Sequence, residues 1–163
     1  MSADIPGGAQ AERKVRGELN KLPMDRFIVA HDIRFKYGNI DHLVIRDDGR
    51  VFLIETKSHR GVITVDGNRL LLNGQPFKKN PIIQITRAIS WLRATMQRLC
   101  GTNCWFDAVL VFPFGSVSGQ GTVGHVNAVR LQNLRKVIES TQASSLKTHK
   151  TQRAVSFHRK LHG

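Results

Sequence analysis

Residues 40–57 read IDHLVIRDDGRVFLIETK, two apolar runs on either side of an Asp47-Asp48-Gly49 turn signal. The second run, Val51 to Ile54, looks like a buried strand, yet it continues straight into Glu55-Thr56-Lys57. Side chains alternate along a strand, so Glu55 and Lys57 share one face while Thr56 takes the other. The turn decides what they meet. A three-residue loop, a type I turn followed by Gly49 in the left-handed region, pairs Arg46 with Arg50 and so Asp41 with Glu55. A two-residue turn at Asp48-Gly49 sets Asp41 opposite Thr56 and sends the carboxylates to opposite faces. We favour the longer loop because it gives the charges a purpose. Like charges face to face destabilise a strand pair, and a cation between them removes the penalty. Lys57 supplies part of it. A hard divalent ion such as Mg²⁺ (or Mn²⁺) supplies more, since it takes carboxylate, phosphate and water oxygens.

Working outward, Ala11, Val15, Glu18 and Leu22 mark one stripe of a helix that Pro23 ends. Glu18 on that stripe is either a carboxylate reaching solvent or a third acid approaching the same site. Phe27 to Phe35 reads as a strand leading into Ile40 to Arg46. Gly61 to Val65 and Arg69 to Leu72 are shorter strands divided by Asp66-Gly67. Asn80-Pro81 is a helix start, with Asn as cap and Pro at the first helical position. The apolar stripe Ile82, Ile85, Ile89, Leu92, Met96 and Leu99 carries that helix to Cys100. Phe106 to Phe112 is a nearly unbroken apolar strand, Gly115 to Gly124 a glycine-rich loop, Val126 to Val129 a last strand and Leu131 to Glu139 a short helix. The order predicts a mixed sheet covered by helices, of the α/β or α+β class. The expected divisions are a flexible stretch over 1–10, one domain over 11–140 and a basic, mobile tail over 141–163.

Charge narrows the partners. Twenty-five Lys and Arg against twelve Asp and Glu leave +13 in 163 residues, a surplus suited to a polyanion such as nucleic acid. Two cysteines, Cys100 and Cys104, make neither a disulfide framework nor a zinc site and predict reduced thiols in a cytoplasmic protein. No run approaches the ~20 apolar residues of a membrane helix, so no membrane partner is expected. Homodimerisation stays open.

These residues resemble a known family. Gly17-Glu18-Leu19, Asn39-Ile40-Asp41-His42-Leu43-Val44-Ile45, Val51 to Lys57, Gly61-Val62-Ile63, and Asn80-Pro81 followed by Gln84 look like the nuclease-related (NERD) domain. That family is a branch of the PD-(D/E)xK nuclease superfamily. The resemblance implies a restriction-endonuclease-like fold, a mixed central sheet flanked by helices. It implies Asp41 and Glu55 as metal ligands, Glu18 as the helical acid beside them, Lys57 as the catalytic lysine and Gln84 as the helix glutamine. Ser58-His59-Arg60 departs from the Asn or small polar residue expected after the lysine, which bears on substrate preference. The implied activity is Mg²⁺-dependent hydrolysis of nucleic acid, DNA ahead of RNA. A non-catalytic nucleic-acid-binding module on the same fold is the alternative, and a domain whose tail docks on an acidic protein is a third reading. His59, Arg60, Lys78 and Lys79 are candidate phosphate contacts. His42, on the other face from Asp41, reads as a packing or hydrogen-bonding histidine.

Overall fold

A computed structural model describes residues 4–101, 104–119 and 121–141. Helix α1 (Asp4–Leu19) leads into strands β1 (Phe27–Phe35), β2 (Gly38–Arg46) and β3 (Val51–Thr56). A small meander follows, β4 (Gly61–Asp66), β5 (Arg69–Leu72) and β6 (Gln75–Pro76), and then helix α2 (Pro81–Cys100). The chain closes with β7 (Phe106–Phe112), β8 (Gly115–Val117), β9 (Thr122–Val123), β10 (Val126–Arg130), a 3₁₀ turn and α3 (Leu134–Ser140). The main sheet runs β1-β2-β3-β7-β10-β9 and the second β6-β5-β4-β8. Strands β3, β7 and β10 are parallel and the hairpins antiparallel, so the fold is a mixed-sheet α+β structure of restriction-endonuclease type.

Two apolar layers hold the main sheet. On one face Leu43, Ile45, Val51 and Leu53 pack with Ile85, Ala88, Leu92 and Met96 of α2. On the other, Val44, Phe52 and Ile54 pack with Val15 and Leu19 of α1 and Leu134 and Ile138 of α3. Strands covered on both faces have no polar side to show. That is why every residue of β7 is buried and why Val51 to Ile54 is apolar without alternation.

The decisive turn is the three-residue one. Arg46 N–H donates to the Arg50 carbonyl at 2.9 Å and Gly49 N–H to the Arg46 carbonyl at 2.9 Å, with Gly49 at φ 87°. The ladder pairs Ile45 with Val51, Leu43 with Leu53 and His42 with Ile54. One step further places Asp41 opposite Glu55.

Several boundaries differ from the expectations. Helix α1 begins at Asp4, inside the stretch expected to be flexible, and ends at Leu19. The segment expected as a glycine-rich loop contains β8, paired with β4, and β9, paired with β10. Two of its glycines, Gly115 and Gly121, serve close packing. A Cβ on Gly121 would sit 2.3 Å from the Ala128 carbonyl oxygen, so only glycine lets the two backbones meet there. Helix α2 starts as expected, with Asn80 Oδ1 accepting from the Ile82 amide at 2.9 Å. Of the expected basic tail, residues 142–163 lie outside the described residues.

Arg46 is the most deeply buried Lys, Arg, Asp or Glu among the described residues, 4% exposed. Its guanidinium grips Asp48 through Nε (2.9 Å) and Nη2 (2.7 Å) and donates Nη1 to the Ile138 carbonyl at 2.7 Å. One side chain thus ties the β2–β3 turn to α3.

Candidate active site

Polar and charged side chains converge where β3 runs out. Lys57 N–H donates to the Val111 carbonyl at 2.8 Å, which holds the chain on β7 one residue past the strand. Four residues later the path is set by Gly61, at φ 118° with the Asn73 amide 2.6 Å from where a Cβ would lie. Any side chain there is strained and obstructed. Asn73 Oδ1 in turn accepts from the Val62 amide at 2.8 Å.

Glu55 lies on the Leu53 face of its strand, and the Asp41 and Glu55 carboxyls meet at the end of the ladder, each acting on the other's ionisation. Asp41 Oδ2 also accepts from the Thr56 amide at 2.8 Å. Burial, then the Asp41 charge, pushes the Glu55 carboxyl up to about 8, against the pull of Lys57. Burial raises Asp41 as well. Two carboxyls this close cannot both stay ionised at neutral pH without a compensating cation, so they hold a proton between them. The Lys57 ammonium, on the same face, donates to Gln84 Oε1 at 2.7 Å. The first turns of α2 thereby fix the lysine beside the acids.

Glu18 lies elsewhere. Its carboxylate accepts from Lys21 Nζ at 2.6 Å and from Arg135 Nε of α3 at 3.0 Å, and these partners lower its pKa. The acid that α1 brings toward Asp41 is Glu12. It lines a cavity of about 280 Å³ with Arg13, Arg16, Asp32, Asn39, Asp41 and His42. Burial and then the charges of Asp41 and Asp32 raise its pKa. At ~100° per residue the two glutamates point roughly 120° apart on the helix and lie about 9 Å apart along it, so one helix cannot aim both at Asp41. A start at Ala11 puts Glu12 in the first turn, where an acid is an ordinary dipole partner. With the true start at Asp4 it lies about two turns in.

Asp32 was also missed. It sits on β1 at φ 53°, a conformation that Asp tolerates better than most residues, and accepts from Asn39 Nδ2 at 2.8 Å. No strand pattern announces such a residue.

His42 is buried at the wall of the cavity that Asp41 and Glu12 line. Its Nδ1 lies 2.7 Å from His31 Nδ1, so one ring donates and the other accepts. Burial first, then His31 and Arg16, pull its pKa down to about 3, which keeps it neutral. His59 stacks edge-on against Phe77 at 5.0 Å, and the Arg60 guanidinium lies 4.8 Å from the Phe114 ring centre. Lys78 and Lys79 are exposed just ahead of α2. His59 and Arg60 follow Lys57 after Ser58, whereas Lys78 and Lys79 come next to α2.

A larger cavity of about 560 Å³ lies between α2 and the β9–β10 edge. Its wall includes Ile82, Ile89, Phe106 and Trp105 and has no carboxylate, so it offers nothing for this chemistry.

Residues 7–113 match the nuclease-related domain, NERD. The chain belongs to the NERD family. The NERD match spans Glu12, Asp41, Glu55, Lys57 and Gln84 and ends just after β7, leaving Arg135 and α3 outside it. No curated protein and no solved structure matches the chain.

Proposed function

We propose that this NERD protein is a divalent-metal-dependent nuclease that hydrolyses phosphodiester bonds of DNA. The observation that supports the reading is the meeting of the Asp41 and Glu55 carboxyls at the end of β3, with the Lys57 charge acting on both. The donor chemistry suits Mg²⁺. Two adjacent carboxyls are hard oxygen donors of the kind this ion takes. Among the described residues no cage of three or more His, Cys, Asp or Glu is assembled. Mg²⁺ commonly makes do with one or two carboxylates plus phosphate and water. Asp41 and Glu55 would hold it, with Glu12 and Asp32 as the further acids of the adjoining cavity in place of Glu18.

Once bound, such an ion polarises the phosphoryl oxygens and makes a hydroxide-like water accessible near neutral pH. The chain's own residues do the rest. Lys57, held at Gln84, presents its ammonium to charge growing on the phosphoryl group. The Thr56 amide fixes the Asp41 carboxylate so that it need not reorganise. Arg13, Arg16, His59, Arg60, Lys78 and Lys79 supply cationic surface for the backbone, giving binding that weakens steeply with salt.

The test is incubation of plasmid, linear and single-stranded DNA with Mg²⁺ or Mn²⁺, using Glu55→Ala/Lys57→Ala as control. Cutting that needs metal and disappears in the control is the expected result. Binding without cutting under either metal would reduce the protein to a nucleic-acid-binding module. Gln84→Leu, which removes the acceptor that positions Lys57, is expected to slow turnover about 10-fold or more while leaving DNA affinity nearly unchanged, read from single-turnover rates beside an affinity measurement. Loss of affinity with unaltered turnover would assign Gln84 to binding instead.

A further inference from the structure

The β1–β2 ribbon runs past the sheet. Its ladder continues to Phe35 opposite Gly38, whereas β2 and β3 are paired only from His42 opposite Ile54. The tip, Lys36-Tyr37, therefore projects beyond the end of the sheet that carries Asp41. Four residues of strand, about 13 Å at the usual rise, separate Tyr37 from Asp41.

Three aromatic rings meet at this tip. Phe35 lies 5.1 Å from Trp91 of α2 at a tilt of 40°, and 6.1 Å from Tyr37 edge-on. Phe35 and Trp91 are half-buried against the core, which makes them a rigid backing. Tyr37 is 63% exposed, and the Lys36 ammonium stands 5.3 Å from its ring centre. Trp91 follows Gln84 by seven residues, close to two full turns, so both lie on one side of α2. The strip of α2 that holds Lys57 through Gln84 thus ends at the aromatic cluster. Arg34 and Arg87 are exposed nearby in sequence.

A single exposed tyrosine on a turn needs no explanation by itself. A rigidly backed ring with a cation beside it, at the mouth of a site proposed to handle a polyanion, is a different arrangement. Aromatic rings paired with cations bind single strands because every base offers a π-face to stack on. Paired bases offer none at a duplex surface.

We infer that the Phe35–Tyr37–Trp91 platform binds unpaired bases of a DNA strand, with Tyr37 as the stacking ring, so that the site takes its substrate as a single strand. The inference rests on the nuclease reading for its substrate, but its test is independent of cleavage. Binding of a labelled thymidine oligonucleotide and of a blunt duplex is measured in chelator, where metal-dependent cutting is silent. Tyr37→Ala is expected to weaken oligonucleotide binding about 10-fold or more, the range for one lost base stack, and to leave duplex binding within about twofold. The salt dependence of oligonucleotide binding should keep its slope, because stacking neutralises no phosphate. Tyr37→Trp should restore affinity. Since the ring is exposed, thermal melts of the variants should match the wild type. Equal weakening on both DNAs, or none on either, would overturn the inference. If Tyr37→Ala loses single strands but the wild type never cuts, the platform stands and the nuclease reading falls. If the wild type cuts and Tyr37→Ala binds as before, the reverse holds.

Discussion

Glu55→Gln is expected to cost about 1,000-fold in metal-dependent DNA cleavage and, without metal, to make the protein more stable. The first effect follows from losing one of two carboxylates proposed to hold the ion, at the upper end of what removing one preorganised electrostatic group does. The second follows from the same crowding that makes the site useful. Glu55 is pushed up to about 8 in the fold against its ordinary 4.5. The folded state therefore keeps its proton longer than the unfolded chain, and stability is lost as pH rises from about 4.5 through about 8. The groups facing it are Asp41, which opposes ionisation, and Lys57, which favours it. Glu12 and Asp32 stand behind Asp41. Melting in chelator should show wild type and variant alike near pH 4.5 and the variant ahead by at least about 3 °C at pH 8, where ~1 kcal/mol moves a domain of this size by ~2–4 °C. Mg²⁺ should then raise the wild type alone. Equal melting at pH 8 would mean that the carboxyls are not crowded, and retained cleavage would remove Glu55 from the site.

Arg46→Ala is expected to be the most damaging single change away from the site, at about 3–5 kcal/mol. Breaking a buried pair strands its partners. Here these are the Asp48 carboxylate, with its three donors reduced to the Arg50 amide (3.2 Å), and the Ile138 carbonyl. The Arg46 guanidinium holds Asp48 below the usual carboxylate range, so this contribution is present at neutral pH and fades as pH falls through and below 3.8. Urea unfolding at pH 7 should show a much lower midpoint with the slope unchanged. A loss under about 1 kcal/mol would mean that the tie between the turn and α3 is not structural.

The central hairpin was legible because its information is local. Asp47-Asp48-Gly49 selects a loop length, loop length selects register, and register brings Asp41 to Glu55, two residues before Lys57. The capped start of α2 and the nearly all-apolar β7 were legible for similar reasons, an Asn-Pro cap in one and burial on both faces in the other. Strands β8 and β9 were not. Short glycine-rich segments carry no pattern of their own and become strands only because β4 and β10 present open edges to them.

The acidic residue on α1 shows where sequence reading stops. Periodicity identifies a stripe, and Glu18 falls on it, but a stripe does not say which turn of the helix reaches the end of the sheet. That depends on where α1 starts and how it lies across β2 and β3, so Glu12 meets Asp41 while Glu18 pairs with Arg135, 117 residues away. The same holds for Asp32 at its left-handed backbone and for Trp91 behind Phe35. Sequence alone determined the pairing of strands joined by short turns and the family this implies, since a turn of known length leaves the chain no choice. Only tertiary structure decided which distant side chains complete the site, because helix placement is set by packing summed over both faces of the sheet rather than by any neighbour in the chain.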